Sequence, residues 1–278
     1  MNNTEFIKKA LEEDVRDGDH STLACIPKDA MGKSKLLVKE KGILAGIEIA
    51  KEIFDYLEPT CKMEILMQDG DEMNVGDIAF YIDAHVHTLL TGERLVLNTM
   101  QRMSGIATLT KRYADKIKDY PTQLLDTRKT TPNFRAFEKQ AVKIGGGTNH
   151  RMGLYDMIML KDNHIDFCGG IEKALDKTKA YLEEKKLNLK IEIETRSLED
   201  VKKVVAHGGA DIIMLDNFTP DKIIEALKII DGKFKTEASG GINFETIESF
   251  AKTGVDFVST GAIIHHAVSM DLSLKAIK

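Results

Sequence analysis

Residues 191–216 read IEIETRSLEDVKKVVAHGGADIIMLD: the apolar run Ile191-Glu192-Ile193 ends in Glu194, a helix-length amphipathic stretch follows, and the run Ile212-Ile213-Met214-Leu215 ends in Asp216. Short apolar run, polar end and amphipathic stretch in alternation are the signature of βα units with parallel strands. The beat extends in both directions. Upstream, Gln123-Leu124-Leu125 leads into Asp126 and Met157-Ile158-Met159-Leu160 into Lys161; downstream, Thr236-Glu237-Ala238 leads into Ser239-Gly240-Gly241 and Asp256-Phe257-Val258 into Ser259-Thr260-Gly261. From Glu194 onward the polar ends recur about every 22 residues, short for a βα unit but suited to a compact barrel, so closure of the sheet is expected. In α/β barrels the C-terminal strand ends form the active face, so these six polar ends should converge on one mouth.

The first hundred residues read differently. A helical pattern through Phe6, Ile7, Ala10 and Leu11 gives way to short alternating segments at 33–39 and 77–82, with turn signals at Asp69-Gly70 and Val75-Gly76. A small α+β domain is expected there. From Gly92 a long helix is predicted, burying Leu95, Leu97, Met100, Met103 and Ile106 and leaving Arg94 and Arg102 to project elsewhere. The domain division is therefore 1–105, including this connecting helix, and 106–278.

Composition narrows the class. With 278 residues, 42% hydrophobic and 30% charged, the chain is an ordinary globular protein of enzyme size. A net charge of −5 and a pI near 5.9 argue against a nucleic-acid partner, which needs a broad basic face. Cys25, Cys61 and Cys168 have neither zinc-site nor disulfide-framework spacing, which points to a reducing compartment. The first ten residues carry Glu5, Lys8 and Lys9 instead of an apolar signal core, and no apolar run approaches the roughly 20 residues of a membrane span. A cytoplasmic protein that does not engage a membrane is expected.

Against that acidic background, Asp126 to His164 holds seven Lys/Arg and four Asp/Glu. A local basic island suits a small polyanion. Arg128 and Lys129 directly follow a strand, where a guanidinium fork and a movable ammonium together fit a ligand bearing both carboxylates and phosphates. Thr131 can cap a helix beginning at Pro132, with Arg135 and Lys139 one turn apart and Gly145-Gly146-Gly147 ending it. Arg135, Lys139 and Lys143 read equally well as a solvated helix face. The glycine run is either a flexible turn or a loop permitting close backbone approach to phosphate. His150 alone could be a core histidine; beside Arg151 and near Lys161 it is assigned to anion binding. Glu194 and Asp216 could orient sugar hydroxyls, hold a divalent cation, balance a ligand's charge or cap the following helices. Ser239-Gly240-Gly241 and Thr260-Gly261 follow the last two strands, where barrels bind phosphate through backbone N–H groups.

These residues resemble the quinolinate phosphoribosyltransferases, also called carboxylating nicotinate-nucleotide pyrophosphorylases. The resemblance runs through Glu93-Arg94, Leu97-Asn98, the stretch 101–108, Asp126 to Pro132, Glu138-Lys139, Gly145 to Gly147, Asn149 to Arg151, Lys161 to Ile165, Leu215 to Asn217 and Glu237 to Ile242. It implies an α/β fold, an N-terminal α/β sandwich plus an incomplete barrel of about six strands, whose last helix could pack back on the N-terminal domain. The implied activity is a pentosyltransferase reaction. Phosphoribosyl passes from phosphoribosyl pyrophosphate to quinolinate with loss of carbon dioxide, giving nicotinate mononucleotide and pyrophosphate for NAD biosynthesis, with magnesium as cofactor.

Carried over by motif, Thr127, Arg128, Lys129, His150, Arg151 and Lys161 would surround quinolinate and the neighbouring phosphates. Arg94 would reach in from the partner of a homodimer, with a hexamer of such dimers a further assembly open to it. Glu194 and Asp216 would face ribose and magnesium, and Ser239, Gly240, Gly241 and Gly261 would hold the 5′-phosphate. Lys129, Lys161, Glu194 and Asp216 are the catalytic candidates. Two departures stand out: Asn133 sits where many members have Gly, and His265-His266 differs from the polar pair often found after the last glycine. The rival functions are a phosphoribosyltransferase-like protein associated with molybdate uptake, a Schiff-base barrel aldolase using Lys161, and a non-catalytic anion-binding scaffold.

Overall fold

The computed structural model describes residues 2–277. In chain order the elements are α1 (Asn3–Asp14), α2 (His20–Cys25), β1 (Met31–Val38), β2 (Gly42–Ile43), α3 (Ile47–Leu57), β3 (Lys62–Ile65), β4 (Glu72–Met73), β5 (Ile78–His85) and α4 (Val86–Lys116). They continue with β6 (Gln123–Leu125), α5 (Arg135–Ile144), β7 (Ile158–Leu160), α6 (Asp162–Cys168), α7 (Ile171–Lys185), β8 (Ile191–Thr195) and α8 (Leu198–His207). The last are β9 (Ile212–Asp216), α9 (Pro220–Ile230), β10 (Lys235–Ser239), α10 (Ile247–Ala251), β11 (Phe257–Ser259), α11 (Ala262–His265) and β12 (Leu272–Ile277).

The chain divides into two compact units: 1–111 with 131–146 and 266–278, and 112–130 with 147–265. The compact units interleave in sequence, because α4 runs on to Lys116 and two later segments return to the first unit. There, β1 buries Ser34, Leu36 and Val38 in period two and pairs antiparallel with β5, setting Leu36 opposite Phe80 and Ser34 opposite Ile82. The final segment is a strand and not the expected helix. β12 pairs antiparallel with β1, Leu274 opposite Leu36 and Leu272 opposite Val38, giving the four-stranded order β12-β1-β5-β3. On α4, Leu97, Met100, Met103 and Ile106 are buried as expected, while Arg94 is exposed.

In the second unit a six-stranded sheet has the order β6-β11-β10-β9-β8-β7, with every pairing parallel. The intervening helices start where local chemistry dictates. Ser197 caps α8 by accepting the Asp200 N–H at 3.1 Å, and Thr219 caps α9 ahead of Pro220 at the first helical turn. All five residues of β8 are buried, as in a strand covered on both faces. Consecutive in sequence, β6 and β7 are the two ends of the sheet, so the expected closure is not made between them. The free edge of β6 instead takes Thr148, which donates to Leu124 and whose carbonyl accepts from Asp126. An open, six-stranded barrel results.

Candidate active site

Parallel register places the functional residues in rows. Glu194, Met214 and Glu237 align across β8, β9 and β10, and Asp216 aligns with Ser239 one row nearer the strand ends. Side chains two apart share a face, so Glu192 and Glu194, Met214 and Asp216, and Glu237 and Ser239 all face one side of the sheet. At its C-terminal edge stand Asp126, Lys161, Glu194, Asp216, Ser239 and Ser259, the six ends read from the sequence.

The loop after β6 carries the paired cations. Thr127 Oγ1 accepts the Lys129 N–H at 3.1 Å and shapes the turn, while Arg128 Nε is buried without a protein acceptor. Lys129 is exposed, and its stem runs so close to Gly261 that a Cβ there would lie 2.9 Å from Lys129 Cδ. Buried Asp126 orders the neighbouring segment, accepting from the His150 N–H at 2.9 Å and from Asn149 Nδ2 at 2.6 Å. Arg151 is anchored through the Met157 carbonyl at 3.2 Å and Met159 Sδ at 3.5 Å. Burial, and then the neighbouring Arg128 charge, hold Arg151 below its ordinary pKa. Two guanidiniums crowded in this way favour an anionic ligand between them.

Opposite charge lines the other side. Glu194 is mostly buried, and burial followed by the Asp216 charge raises its pKa. Lys161, at the start of α6, brings Nζ to 3.9 Å from Glu194 while its side chain stays half exposed. A Schiff-base lysine needs burial beside cations to become nucleophilic, and Lys161 is half solvated beside a carboxylate. The aldolase reading is not favoured.

The last two strand ends form a glycine-dependent cradle. Gly240 has φ +94°, and a Cβ there would fall 2.2 Å from Asn217 Oδ1; Gly241 has φ +64° and faces open space. Thr260 Oγ1 donates to the Ile242 carbonyl at 2.8 Å and accepts the Ala262 N–H at 3.2 Å, tying the two loops together. Close backbone approach of this kind suits a phosphate.

Other expectations meet different geometry. Helix α5 starts at Arg135 with Phe134 as its cap residue, because Thr131 directs both its N–H and its hydroxyl to Glu138, at 2.9 Å each. Asn133 has φ +62°, in the left-handed region that glycine favours and asparagine tolerates. Lys139 is fully buried, so it belongs to no solvated face. Gly145 ends α5 as expected, but its size is set by packing: a Cβ would lie 2.4 Å from the Ala107 carbonyl oxygen of α4. Arg94 lies in the first unit, its side chain exposed and 4.0 Å from Glu93.

Beneath the strand ends lies a group that sequence reasoning did not single out. Glu192 and Glu237, both without exposed surface, converge on His150 Nε2 at 2.9 and 3.2 Å. Burial would lower the imidazole pKa, but hydrogen bonds and charges from the two glutamates overcome it and raise His150 to about 9. Glu192 is raised to about 7, by burial first and with the Glu237 charge adding to it. The available signal was a glutamate inside a three-residue apolar run, at a position whose alternation turns it to the interior.

Fold and site together define an open α/β-barrel protein whose strand ends hold clustered guanidinium and ammonium groups, a carboxylate pair and a glycine cradle. Family models described as quinolinate phosphoribosyl transferase, N-terminal domain and C-terminal domain, match residues 19–104 and 106–275. The chain belongs to the quinolinate phosphoribosyltransferase family. It is 44% identical over 284 residues to a decarboxylating quinolinate phosphoribosyltransferase (1b) of Nicotiana tabacum, covering 97% of this chain and 81% of that protein. Among solved structures, NadC from Streptococcus pyogenes superposes with a TM-score of 0.93 at 39% identity, covering 99% of this chain and 96% of that one. The nicotinate-nucleotide pyrophosphorylase of Francisella tularensis gives 0.92 at 38% identity, covering 100% and 98%. Among the described residues, no helix is long and apolar enough to cross a membrane.

Proposed function

We propose that the chain transfers phosphoribosyl from phosphoribosyl pyrophosphate to the ring nitrogen of quinolinate with decarboxylation, yielding nicotinate mononucleotide, pyrophosphate and carbon dioxide for NAD biosynthesis. The observation that carries this reading is the pairing of Arg128 and Arg151, two crowded guanidiniums in one unit with the Gly240-Gly241 cradle. A dicarboxylate and a phosphorylated sugar are the ligands that such a combination suits.

In this reading Arg128 and Arg151 grip the quinolinate carboxylates in paired hydrogen bonds. Lys129 and Lys161 place ammonium charge where the departing pyrophosphate and the pyridine carboxylate need it. Cleavage of the bond from ribose C1 to pyrophosphate leaves positive charge on the sugar, which Glu194 and Asp216 face, and negative charge on the leaving group, which fixed cations stabilise. Glu194 and Asp216 also fit magnesium, a hard cation held by one or two carboxylates plus substrate phosphates, and the ion would neutralise leaving-group charge. Backbone N–H groups of 239–241 and Gly261 hold the 5′-phosphate. Once alkylated, the positively charged ring nitrogen stabilises the electron pair that the breaking carbon–carboxylate bond leaves on the adjacent ring carbon. Carbon dioxide departs and that carbon takes up a proton from solvent, without a covalent enzyme intermediate.

The proposed assembly is a homodimer in which the exposed Arg94 reaches the partner's site. The proposed location is the cytoplasm, in keeping with three free cysteines. The deciding experiment incubates the purified protein with phosphoribosyl pyrophosphate, magnesium and either quinolinate or nicotinate, and follows nicotinate mononucleotide and carbon dioxide. Product from quinolinate alone is expected; binding of phosphoribosyl pyrophosphate without turnover of either acceptor overturns the acceptor assignment.

A further inference from the structure

Both nitrogens of the His150 ring are engaged by protein. Nε2 donates to Glu192 Oε2 at 2.9 Å with Glu237 Oε2 at 3.2 Å, and Nδ1 accepts the backbone N–H of Arg151 at 2.7 Å. The ring is 8% exposed and the carboxylates 0% and 1%. It therefore spans from the barrel interior to the backbone of a residue at the mouth. We infer that Glu192 and Glu237 are positioning residues for Arg151, acting through the His150 ring as a strut; the inference rests on the reading of Arg151 as a quinolinate-binding cation.

The tautomer follows from the geometry. An Nδ1 that accepts from Arg151 leaves the ring proton on Nε2, and a buried Nε2–H needs an acceptor. Glu192 supplies it, and Glu237, one strand beyond the intervening β9, closes the other side. From above, Asp126 accepts the His150 N–H at 2.9 Å, so residue 150 is held through backbone and ring alike. Arg151 then has its amide fixed by the strut and its guanidinium fixed by Met157 and Met159, leaving little freedom in where its charge sits.

A metal ion is a poorer account of the three groups, although their ligand atoms lie within 4.8 Å of one another. The 2.9 Å separation of Nε2 and Oε2 is a direct hydrogen bond, shorter than the edge of about 3.3 Å that metal bonds of about 2.0–2.1 Å give in a tetrahedral site. Barrel interiors are ordinarily filled by branched apolar side chains, and burying carboxylates there is unfavourable unless they meet hydrogen-bonding partners. Glu192 Oε2 meets Nε2, while Glu192 Oε1 and both Glu237 oxygens make no hydrogen bond of good geometry. Here the polar core leads through one ring to one mouth residue.

The test compares Glu192→Leu, which removes the acceptor, with Glu192→Gln, whose amide oxygen still accepts from Nε2. Steady-state kinetics on the full-length enzyme are expected to show KM for quinolinate raised about 10-fold or more in Glu192→Leu. KM for phosphoribosyl pyrophosphate should stay within about twofold, and Glu192→Gln should recover most of the loss. Glu192→Met, which keeps the side-chain length, takes the place of leucine if that variant does not fold. An unchanged quinolinate KM in the folded apolar variant, or equal losses in the Gln and apolar variants, overturns the strut while leaving the activity intact. Wild-type enzyme that does not turn over quinolinate overturns the acceptor reading and the inference with it.

Discussion

Arg102 on α4 and Glu138 on α5 form a side-on ion pair, with Nε at 2.9 Å and Nη2 at 2.8 Å from the same carboxylate oxygen. Glu138 is fully buried, and it also accepts the backbone N–H and the hydroxyl of Thr131, just past the loop that carries Arg128 and Lys129. One carboxylate thus joins two helices and the far end of that loop. Breaking a buried pair from one side leaves an uncompensated charge, which costs about 3–5 kcal/mol. Glu138→Ala is expected to lower unfolding free energy by about that amount in urea titrations. An effect below about 1 kcal/mol would show that the pair behaves as a surface contact.

Lys129 makes the complementary case. It is exposed and only its stem is packed, against Gly261, so removing its charge should affect chemistry and leave folding alone. Lys129→Ala is expected to lower turnover more than about 100-fold, the scale seen when one preorganised transition-state donor is lost. Its melting temperature should stay within a few degrees of wild type. Near-wild-type steady-state kinetics would refute the assignment.

Gly240 tests the cradle. Its φ of +94° is already unfavourable for any residue with a Cβ, and the added atom would meet Asn217 Oδ1 at 2.2 Å and the Asn217 amide nitrogen at 3.0 Å. Gly240→Ala is expected to destabilise by about 1–3 kcal/mol and to raise KM for phosphoribosyl pyrophosphate more than KM for quinolinate. Gly241→Ala has the strained φ of +64° without a protein neighbour within 4 Å, so the extra loss of stability in Gly240→Ala measures the clash with Asn217. Equal losses of stability in the two variants would remove the steric argument.

The strand ends were legible in the sequence because each parallel strand is a short apolar run that must stop where a polar residue emerges, and Asp126, Lys161, Glu194, Asp216, Ser239 and Ser259 mark those stops. What decides the rest is nonlocal. Thr131 and Pro132 carry a good helix-start signal, yet Glu138 seven residues on offers Thr131 a better partner, and Asn133 takes φ +62° before the helix begins. The tail 272–277 has only two buried leucines, and pairing with β1 makes it a strand. Glu192 and Glu237 lie inside short apolar runs, and their role depends on His150, which comes from a loop beside a different strand.

That trio gives the protein a signed dependence on pH. Folding raises the His150 pKa from the ordinary 6.5 to about 9, because Glu192 and Glu237 outweigh the cost of burying a charge. Protonating Nδ1 breaks the bond from the Arg151 N–H, so a neutral ring with the extra proton on Glu192 is the arrangement that keeps that bond, and His150 and Glu192 titrate as a pair. In either microstate the folded chain holds a proton that the unfolded chain has released. The stabilisation is fully present below pH 6.5 and is lost as pH rises toward about 9. Within that window one proton of difference corresponds to a slope of about 1.4 kcal/mol per pH unit. Urea titrations between pH 6 and 9 are expected to show unfolding free energy falling with pH in the wild type. The slope should flatten when both Glu192→Gln and Glu237→Gln are present, since amides accept from Nε2 without retaining the proton. A wild-type slope equal to that of the double variant would mean that the trio takes up no proton on folding.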